Sequence, residues 1–225
     1  MAKVETSLSV NKARAIEIYK RLAATYPDAH CTLNFESPFQ LLAGTILAAQ
    51  CTDERVNKTT MHLFKKYRMP QDYLDVPQEE LEQDIRPCGF YRNKAKNLRA
   101  MCATLLEEFN GQVPGTMDEL LQLGGVGRKT ANVVLGECFG GQGVIVDTHC
   151  TRVASRLGFT KETDAVKIER DLQKVWPADH WTLFSHYMVF HGRSICTARA
   201  PICSRCPLND VCPFPNTTEG KNIAR

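Results

Sequence analysis

Four cysteines near the C-terminal end of the sequence constrain the fold more than any other feature. They follow the spacing C-x6-C-x2-C-x5-C and are Cys196, Cys203, Cys206 and Cys212. Four thiolates in so short a segment can converge on one metal centre without a regular scaffold. The spacing therefore predicts a metal-ligating loop rather than disulfides or core residues.

Two kinds of metal centre accept four thiolates, a zinc ion and an iron-sulfur cluster. Zinc ribbons normally use two CxxC pairs that are about fifteen or more residues apart, whereas this segment contains one such pair. The spacing favours an iron-sulfur cluster and leaves zinc as the alternative. The other six cysteines lie in apolar stretches, where free cysteine acts as a small core residue: Cys31, Cys51, Cys88, Cys102, Cys138 and Cys150.

The composition is typical of a globular protein and excludes disordered and collagenous classes. Of 225 residues, 43% are hydrophobic and 24% are charged. The longest uncharged stretch, residues 37–52, is too short to cross a bilayer, and residues 1–10 contain no recognisable secretion signal. We therefore expect a cytoplasmic protein without a membrane span. The net charge of +3 is too small to indicate a nucleic-acid partner by itself.

Apolar residues recur at helical spacing along most of the chain and predict a mostly helical protein. Prolines and glycines, Pro70 among them, separate the helical segments, and Val144 to Val146 is the only strand-like run. Five bases and no acid lie between Arg86 and Arg99, which predicts either a basic face or simply a solvated helix. The predicted helices cover residues 11–26, 38–50, 53–67, 78–85, 93–109, 116–123, 128–138, 148–157, 163–175 and 179–190.

Residues 117–138 (MDELLQLGGVGRKTANVVLGEC) predict a short helix, a glycine turn and a second helix. Gly125 and Gly127 leave the backbone bare beside the N-terminus of the second helix, where successive amides can bind one phosphate oxygen. Such a contact reads no base sequence. A simple tight turn is the alternative interpretation.

Lys129 and Asp147 are candidate catalytic residues. Lys129 lies in the first turn of the second helix, where the helix dipole and partial burial both favour a free amine that can form a Schiff base. An ordinary electrostatic contact is the alternative. Asp147 is placed to cap the helix that starts near Thr148, and a carboxylate fixed there can also stabilise positive charge or accept a proton. His149 is interpreted as a core or wall residue rather than a general base.

The motif LGGVGRKTANVVL, followed by VDTH and the cysteine spacing, resembles the endonuclease III family of DNA repair glycosylases in the helix-hairpin-helix superfamily. Further similarity at residues 33–58, 89–98 and 109–114 extends the resemblance over most of the chain. It implies an all-α fold of two helical lobes with a DNA-binding cleft between them. One is a six-helix lobe, residues 31–141, with the helix-hairpin-helix motif at about 116–138. The other joins residues 1–30 to 142–225 and holds a 4Fe-4S cluster.

The resemblance also implies an activity. Lys129 is then the nucleophile, Asp147 its carboxylate partner, and the four clustered cysteines the cluster ligands. Such an enzyme flips and excises oxidised pyrimidines from damaged double-stranded DNA and cleaves the abasic strand by β-elimination through a lysine Schiff base. We expect a monomer, associated with the nucleoid if bacterial. The implied DNA contacts are Gln50, Phe90, Gly125, Val126, Gly127, Arg128, Thr130, His149 and Arg199.

Three positions depart from the family pattern. Phe90 stands where an aliphatic wedge is more usual, with core packing as the alternative for it and for Gln50. Gly124 replaces a proline and is expected to loosen the entry to the turn. The first cysteine loop has one arginine, so we expect fewer phosphate contacts. Two alternative functions are a non-catalytic iron-sulfur module and a monofunctional glycosylase. The pairing of Lys129 with Asp147 disfavours the first, and the amine nucleophile of Lys129 disfavours the second.

Overall fold

The computed structural model describes residues 2–225, with side chains described from Ser9 onward, and contains no strand in that part of the chain. This confirms the all-helical prediction. Within the described residues, no helix is long and apolar enough to span a membrane. The α-helices are α1 (Ala2–Thr25), α2 (Pro38–Leu47), α3 (Asp53–Lys66), α4 (Pro70–Asp75), α5 (Gln78–Asp84), α6 (Tyr91–Phe109), α7 (Met117–Leu120), α8 (Arg128–Cys138), α9 (Thr148–Arg156), α10 (Ala165–Val175), α11 (Trp181–Ser194) and α12 (Thr218–Ile223).

The chain divides into two compact units. The central unit is Cys31–Gly141, and the terminal unit is the chain up to His30 together with Gln142–Arg225. In the central unit α2 packs against α3, α6 and α8, and α4 and α5 pack on α6. In the terminal unit α1 packs against α10 and α11, and α9 packs against α11.

The central unit has seven α-helices where six were predicted, because α4 was missed. Pro70 was interpreted as a break, but it occupies the first turn of α4. Proline suits that position because its missing amide hydrogen would have no partner inside the helix. The Asp72 carboxylate accepts hydrogen bonds from the amides of Arg68 and Met69 at 2.6 and 3.1 Å and closes the start of the helix. The short α12 was also not predicted.

The basic run between Arg86 and Arg99 does not form a continuous basic face. Lys94 is 4% exposed, and the Arg99 guanidinium donates hydrogen bonds to the carbonyls of Tyr73, Leu74 and Val76 at the end of α4. Of the five bases, only Arg86, Arg92 and Lys96 are exposed. Two of the five bases therefore serve the interior of the central unit.

The strand-like run from Val144 to Val146 is buried but forms no strand. Its backbone lies along α11, whose hydroxyl groups satisfy the amides. Gly143 N donates to Thr182 Oγ1 at 3.2 Å, and Ile145 N donates to Ser185 Oγ at 2.9 Å. Because side chains of a helix provide these acceptors, no second strand is needed.

Candidate active site and cysteine loop

The predicted helix-hairpin-helix unit, a short helix, a glycine turn and a second helix, is present in the central unit. Thr116 caps α7, and Leu123 N and Val126 N donate to the carbonyls of Leu120 and Leu123 at 3.2 and 3.1 Å. The helix α8 begins after Gly127, whose carbonyl accepts from Ala131 N at 3.0 Å. The two helices are therefore joined by a short hydrogen-bonded turn.

The glycines of this turn have different reasons to be glycine. Gly125 has a φ of 74°, and a Cβ there would lie 2.7 Å from the Cβ of Asn97. Gly127 has an extended backbone with φ −98°, and a Cβ there would meet nothing within 4 Å. Neither strain nor packing within the chain requires glycine at 127, so the residue leaves its exposed backbone open to close approach.

Gly124 packs tightly against α6, a role that the sequence analysis did not assign to it. A Cβ at this position would lie 2.5 Å from the Cβ of Ala100 and 3.0 Å from Met101 N, both on α6. The glycine therefore lets the turn rest directly on the backbone of α6.

We predict that Gly124→Ala lowers the free energy of unfolding by about 1–3 kcal/mol, because the new methyl group overpacks the contact with α6. Adding Ala100→Gly should recover part of this loss, since it removes the atom that the methyl group meets. Denaturant unfolding of the two single variants and the double variant measures this coupling. Additive effects, or a Gly124→Ala protein as stable as the parent, would contradict the packing role.

Lys129 is the second residue of α8 and is exposed rather than partly buried. The burial part of the sequence argument is therefore wrong, while the position in the first helical turn is as predicted. Arg128 and Thr130 are partly exposed beside it. Val126 is only 7% exposed, so its side chain belongs to the core and only its backbone is available for a contact.

Asp147 is the N-cap residue of α9 in the terminal unit, which confirms the capping prediction. Its Oδ1 accepts from Cys150 N at 2.7 Å, and its side chain is partly exposed. His149, two residues later, has its Nδ1 3.3 Å from the Arg152 guanidinium, and burial lowers the pKa of the imidazole. These contacts fit the interpretation of His149 as a wall residue.

Gln50 and Phe90 both lie on the surface with left-handed backbone angles. Their φ values are 53° and 47°, and Asn110, at the end of α6, is the only other described non-glycine residue with positive φ. Phe90 is 67% exposed, so core packing is not its role. Large side chains rarely adopt this conformation, which persists where the surrounding structure imposes it.

The four clustered cysteines line one cavity of the terminal unit, together with apolar residues and with Arg156 and His191. Nitrogen atoms face two of the sulfurs. Leu208 N lies 3.4 Å and His191 Nε2 3.6 Å from Cys206 Sγ, and Arg156 Nη1 lies 3.5 Å from Cys196 Sγ. Hydrogen bonds to ligating sulfurs are typical of iron-sulfur sites. The cysteine donor set and its surroundings therefore fit a cluster that takes one thiolate per iron.

Arg156, which sequence reasoning missed, holds the cysteine loop against α9. Its buried guanidinium donates to the carbonyls of Thr197 and Ala198 at 2.7 and 2.9 Å and lies 4.3 Å from the centre of the Phe214 ring. The sequence signal that could have identified Arg156 is its position at the end of α9, on the buried face of that amphipathic helix. Arg199 is exposed on the same loop.

Comparison with known proteins agrees with this geometry. The family model described as HhH-GPD superfamily base excision DNA repair protein matches residues 43–178, and the iron-sulfur binding domain of endonuclease III matches residues 196–212. Endonuclease III of Synechocystis sp. is 49% identical over 95% of this chain and 98% of its own length. Endonuclease III of Bacillus subtilis is 45% identical over 91% and 94%.

Solved structures agree as well. A non-covalent endonuclease III-DNA complex superposes with a TM-score of 0.87 at 48% identity, covering 94% of this chain and 97% of the other. A trapped endonuclease III-DNA covalent intermediate gives a TM-score of 0.84 at 49% identity, covering 90% and 93%.

The helical fold and the glycine hairpin thus define a base excision DNA repair protein of the helix-hairpin-helix superfamily. The match to the iron-sulfur binding domain of endonuclease III covers the segment that contains all four clustered cysteines. The chain belongs to the endonuclease III family, whose members are bifunctional DNA glycosylases and abasic-site lyases with a 4Fe-4S cluster. This confirms the resemblance and decides for iron over zinc.

Proposed function

We propose that this protein removes oxidised pyrimidine bases from damaged duplex DNA and then cuts the abasic strand, with Lys129 as the nucleophile. The observation that carries the assignment is a lysine exposed in the first turn of α8, directly after an open glycine backbone. We further propose that the protein acts as a monomer in the cytoplasm and, if its source is bacterial, at the nucleoid.

Binding begins at the DNA backbone. The amides of Gly125 and Gly127 and the positive end of α8 bind a phosphate group, and the side chains of Arg128 and Thr130 assist. Val126 contributes by holding the turn, because its side chain is buried and its amide already donates to Leu123 O. In the terminal unit, Arg199 and His149 supply further contacts. Such contacts position the duplex without reading its sequence, as a repair enzyme requires.

The damaged nucleotide must leave the base stack before it can react. Flipping costs a few kcal/mol and is easiest for lesions that already stack poorly. Gln50 and Phe90, exposed on strained turns of the central unit, fill the vacated space. An aromatic ring can stack on bases of any type, so Phe90 suits this role.

The chemical steps follow from the two candidate catalytic residues. The neutral amine of Lys129 attacks C1′ of the deoxyribose, and the bond from C1′ to the base breaks with its electron pair leaving on the base, which takes up a proton. The Asp147 carboxylate stabilises the positive charge that develops on the sugar. Loss of the amine protons and opening of the sugar ring give a Schiff base.

Strand cleavage completes the reaction. The Schiff base acidifies C2′, which loses a proton, and the electron pair expels the 3′ phosphate from C3′. Water then hydrolyses the imine and regenerates Lys129. Cys196, Cys203, Cys206 and Cys212 would hold the 4Fe-4S cluster, which would cross-link the C-terminal loop when bound. That loop presents Arg199 toward solvent.

Purified protein should nick duplexes that carry a single thymine glycol, dihydrothymine or 5-hydroxycytosine and leave an undamaged duplex intact. The product of β-elimination, an unsaturated aldehyde at the 3′ end opposite a 5′ phosphate, is identified on a sequencing gel. Base release that needs hot alkali before the strand breaks would contradict the lyase step. Failure to release any oxidised pyrimidine would contradict the proposed substrate class.

A further inference from the structure

Lys94, on the first turns of α6, is a buried cation whose partners are two main-chain carbonyls. Its side chain is 4% exposed, and Nζ donates to Leu47 O and to Cys88 O, both at 2.8 Å. No carboxylate lies within ion-pair distance of it among the described residues. Burial lowers the pKa of this amine.

The two carbonyls belong to the two turns that carry the strained, exposed side chains. Leu47 ends α2, three residues before Gln50, and Cys88 ends a 3-10 turn, two residues before Phe90. The Cys51 thiol, next to Gln50, and the Cys88 thiol also lie near Lys94. The Gln50 turn (residues 47–52) and the Phe90 turn (residues 86–90) therefore meet at the Lys94 ammonium.

Stability alone does not explain a lysine at this position. An ammonium group loses its hydration on burial, and an apolar side chain of similar size would avoid that cost. Main-chain carbonyls are also the acceptors that fix backbone position, and both turns contain a residue in a conformation that must be imposed by its surroundings.

We infer that Lys94 is a positioning residue that holds the Gln50 turn and the Phe90 turn in one fixed relation, so that both side chains enter the duplex together. This inference rests on the proposed function, in which Gln50 and Phe90 fill the vacated stack. Lys94 touches neither the substrate nor the reacting atoms and acts through these two side chains.

The test compares a substrate that requires filling of the stack with one that does not. Lys94→Met removes both hydrogen bonds while keeping the length of the side chain. We expect its single-turnover excision of dihydrothymine from a duplex to be about 10- to 100-fold slower, because misplacement of the flipped nucleotide is costly. Cleavage of an abasic site in single-stranded DNA, which has no stack to fill, should stay within about twofold of the parent.

A double-mutant cycle identifies the route of the effect. If Lys94 acts through the two turns, Lys94→Met should add little to the defect of a Gln50→Ala, Phe90→Ala protein. Lys66→Met is the matched control in the same unit, since Lys66 makes surface ion pairs with Glu80 and Asp84, and it should leave both substrates unaffected. Rates are normalised to the fraction of protein that borohydride traps on an abasic site.

If Lys94→Met slows both reactions equally, the inference is overturned in favour of a purely structural lysine. Excision at the parent rate, or additive effects in the double-mutant cycle, would overturn it as well. If Lys94→Met does not fold, Lys94→Gln, which keeps one donor, is judged by the same ratio of the two rates. The parent protein separates this test from that of the proposed function, because an inactive parent contradicts only the latter.

Discussion

Lys129→Gln protein is expected to bind damaged duplex DNA and leave it uncut. Glutamine is similar in size to the inner part of lysine but has no nucleophilic amine, so neither attack on C1′ nor a Schiff base is available. Loss of the nucleophile should slow incision by at least roughly 10³-fold. Single-turnover nicking of a thymine glycol duplex gives the rate, and fluorescence anisotropy gives the affinity.

Lys129→Arg controls for the charge of the side chain. Arginine keeps a cation in the first turn of α8 but its guanidinium does not deprotonate in proteins. Both variants should therefore be inactive, while the arginine variant keeps the affinity of the parent. Incision by Lys129→Arg within tenfold of the parent would show that position 129 supplies charge rather than a nucleophile.

Asp147→Asn should uncouple the two roles of Asp147. Asparagine caps helices about as well as aspartate, so the hydrogen bond from Cys150 N is kept and the free energy of unfolding should change by less than about 1 kcal/mol. The negative charge is lost, and with it the stabilisation of the cationic sugar. We expect base excision to be about 10²- to 10³-fold slower, as measured by single-turnover base release.

Asp164→Asn provides the matched control. Asp164 caps α10 with a hydrogen bond from Lys167 N at 3.0 Å, which is the same structural role on another helix of the terminal unit. Asp164→Asn should leave excision unchanged. If Asp147→Asn excises as fast as Asp164→Asn, Asp147 is a helix cap and nothing more.

Local patterns in the sequence predicted those parts of the fold that local interactions determine. Helical periodicity found ten of the twelve α-helices in the described part of the chain, because each has a buried face that repeats along the segment. Asp147 could be assigned as a cap because capping depends on one side chain and the next helical turn. The four cysteines were found by spacing alone, since a loop of that length brings any such thiols together.

Long-range packing decided the remainder, and the sequence carries little signal for it. In the sequence, a proline in the first turn of a helix, such as Pro70 in α4, cannot be distinguished from a proline that ends a helix. Gly124 was assigned a loose turn because the neighbouring position of Ala100 on α6 is visible only in the fold. Lys94 reads as one base in a basic run, although its burial comes from helices that pack around it. The left-handed angles of Gln50 and Phe90 are likewise set by their neighbours.

The central claim is that the side-chain nitrogen of Lys129 bonds to deoxyribose. Incubation of the parent protein with a thymine glycol duplex in the presence of sodium borohydride should reduce the intermediate to a stable protein-DNA adduct. Proteolysis and mass spectrometry should then locate the modified sugar on the peptide containing residue 129. An adduct on a different amine, or base release with no adduct at all, would contradict the account.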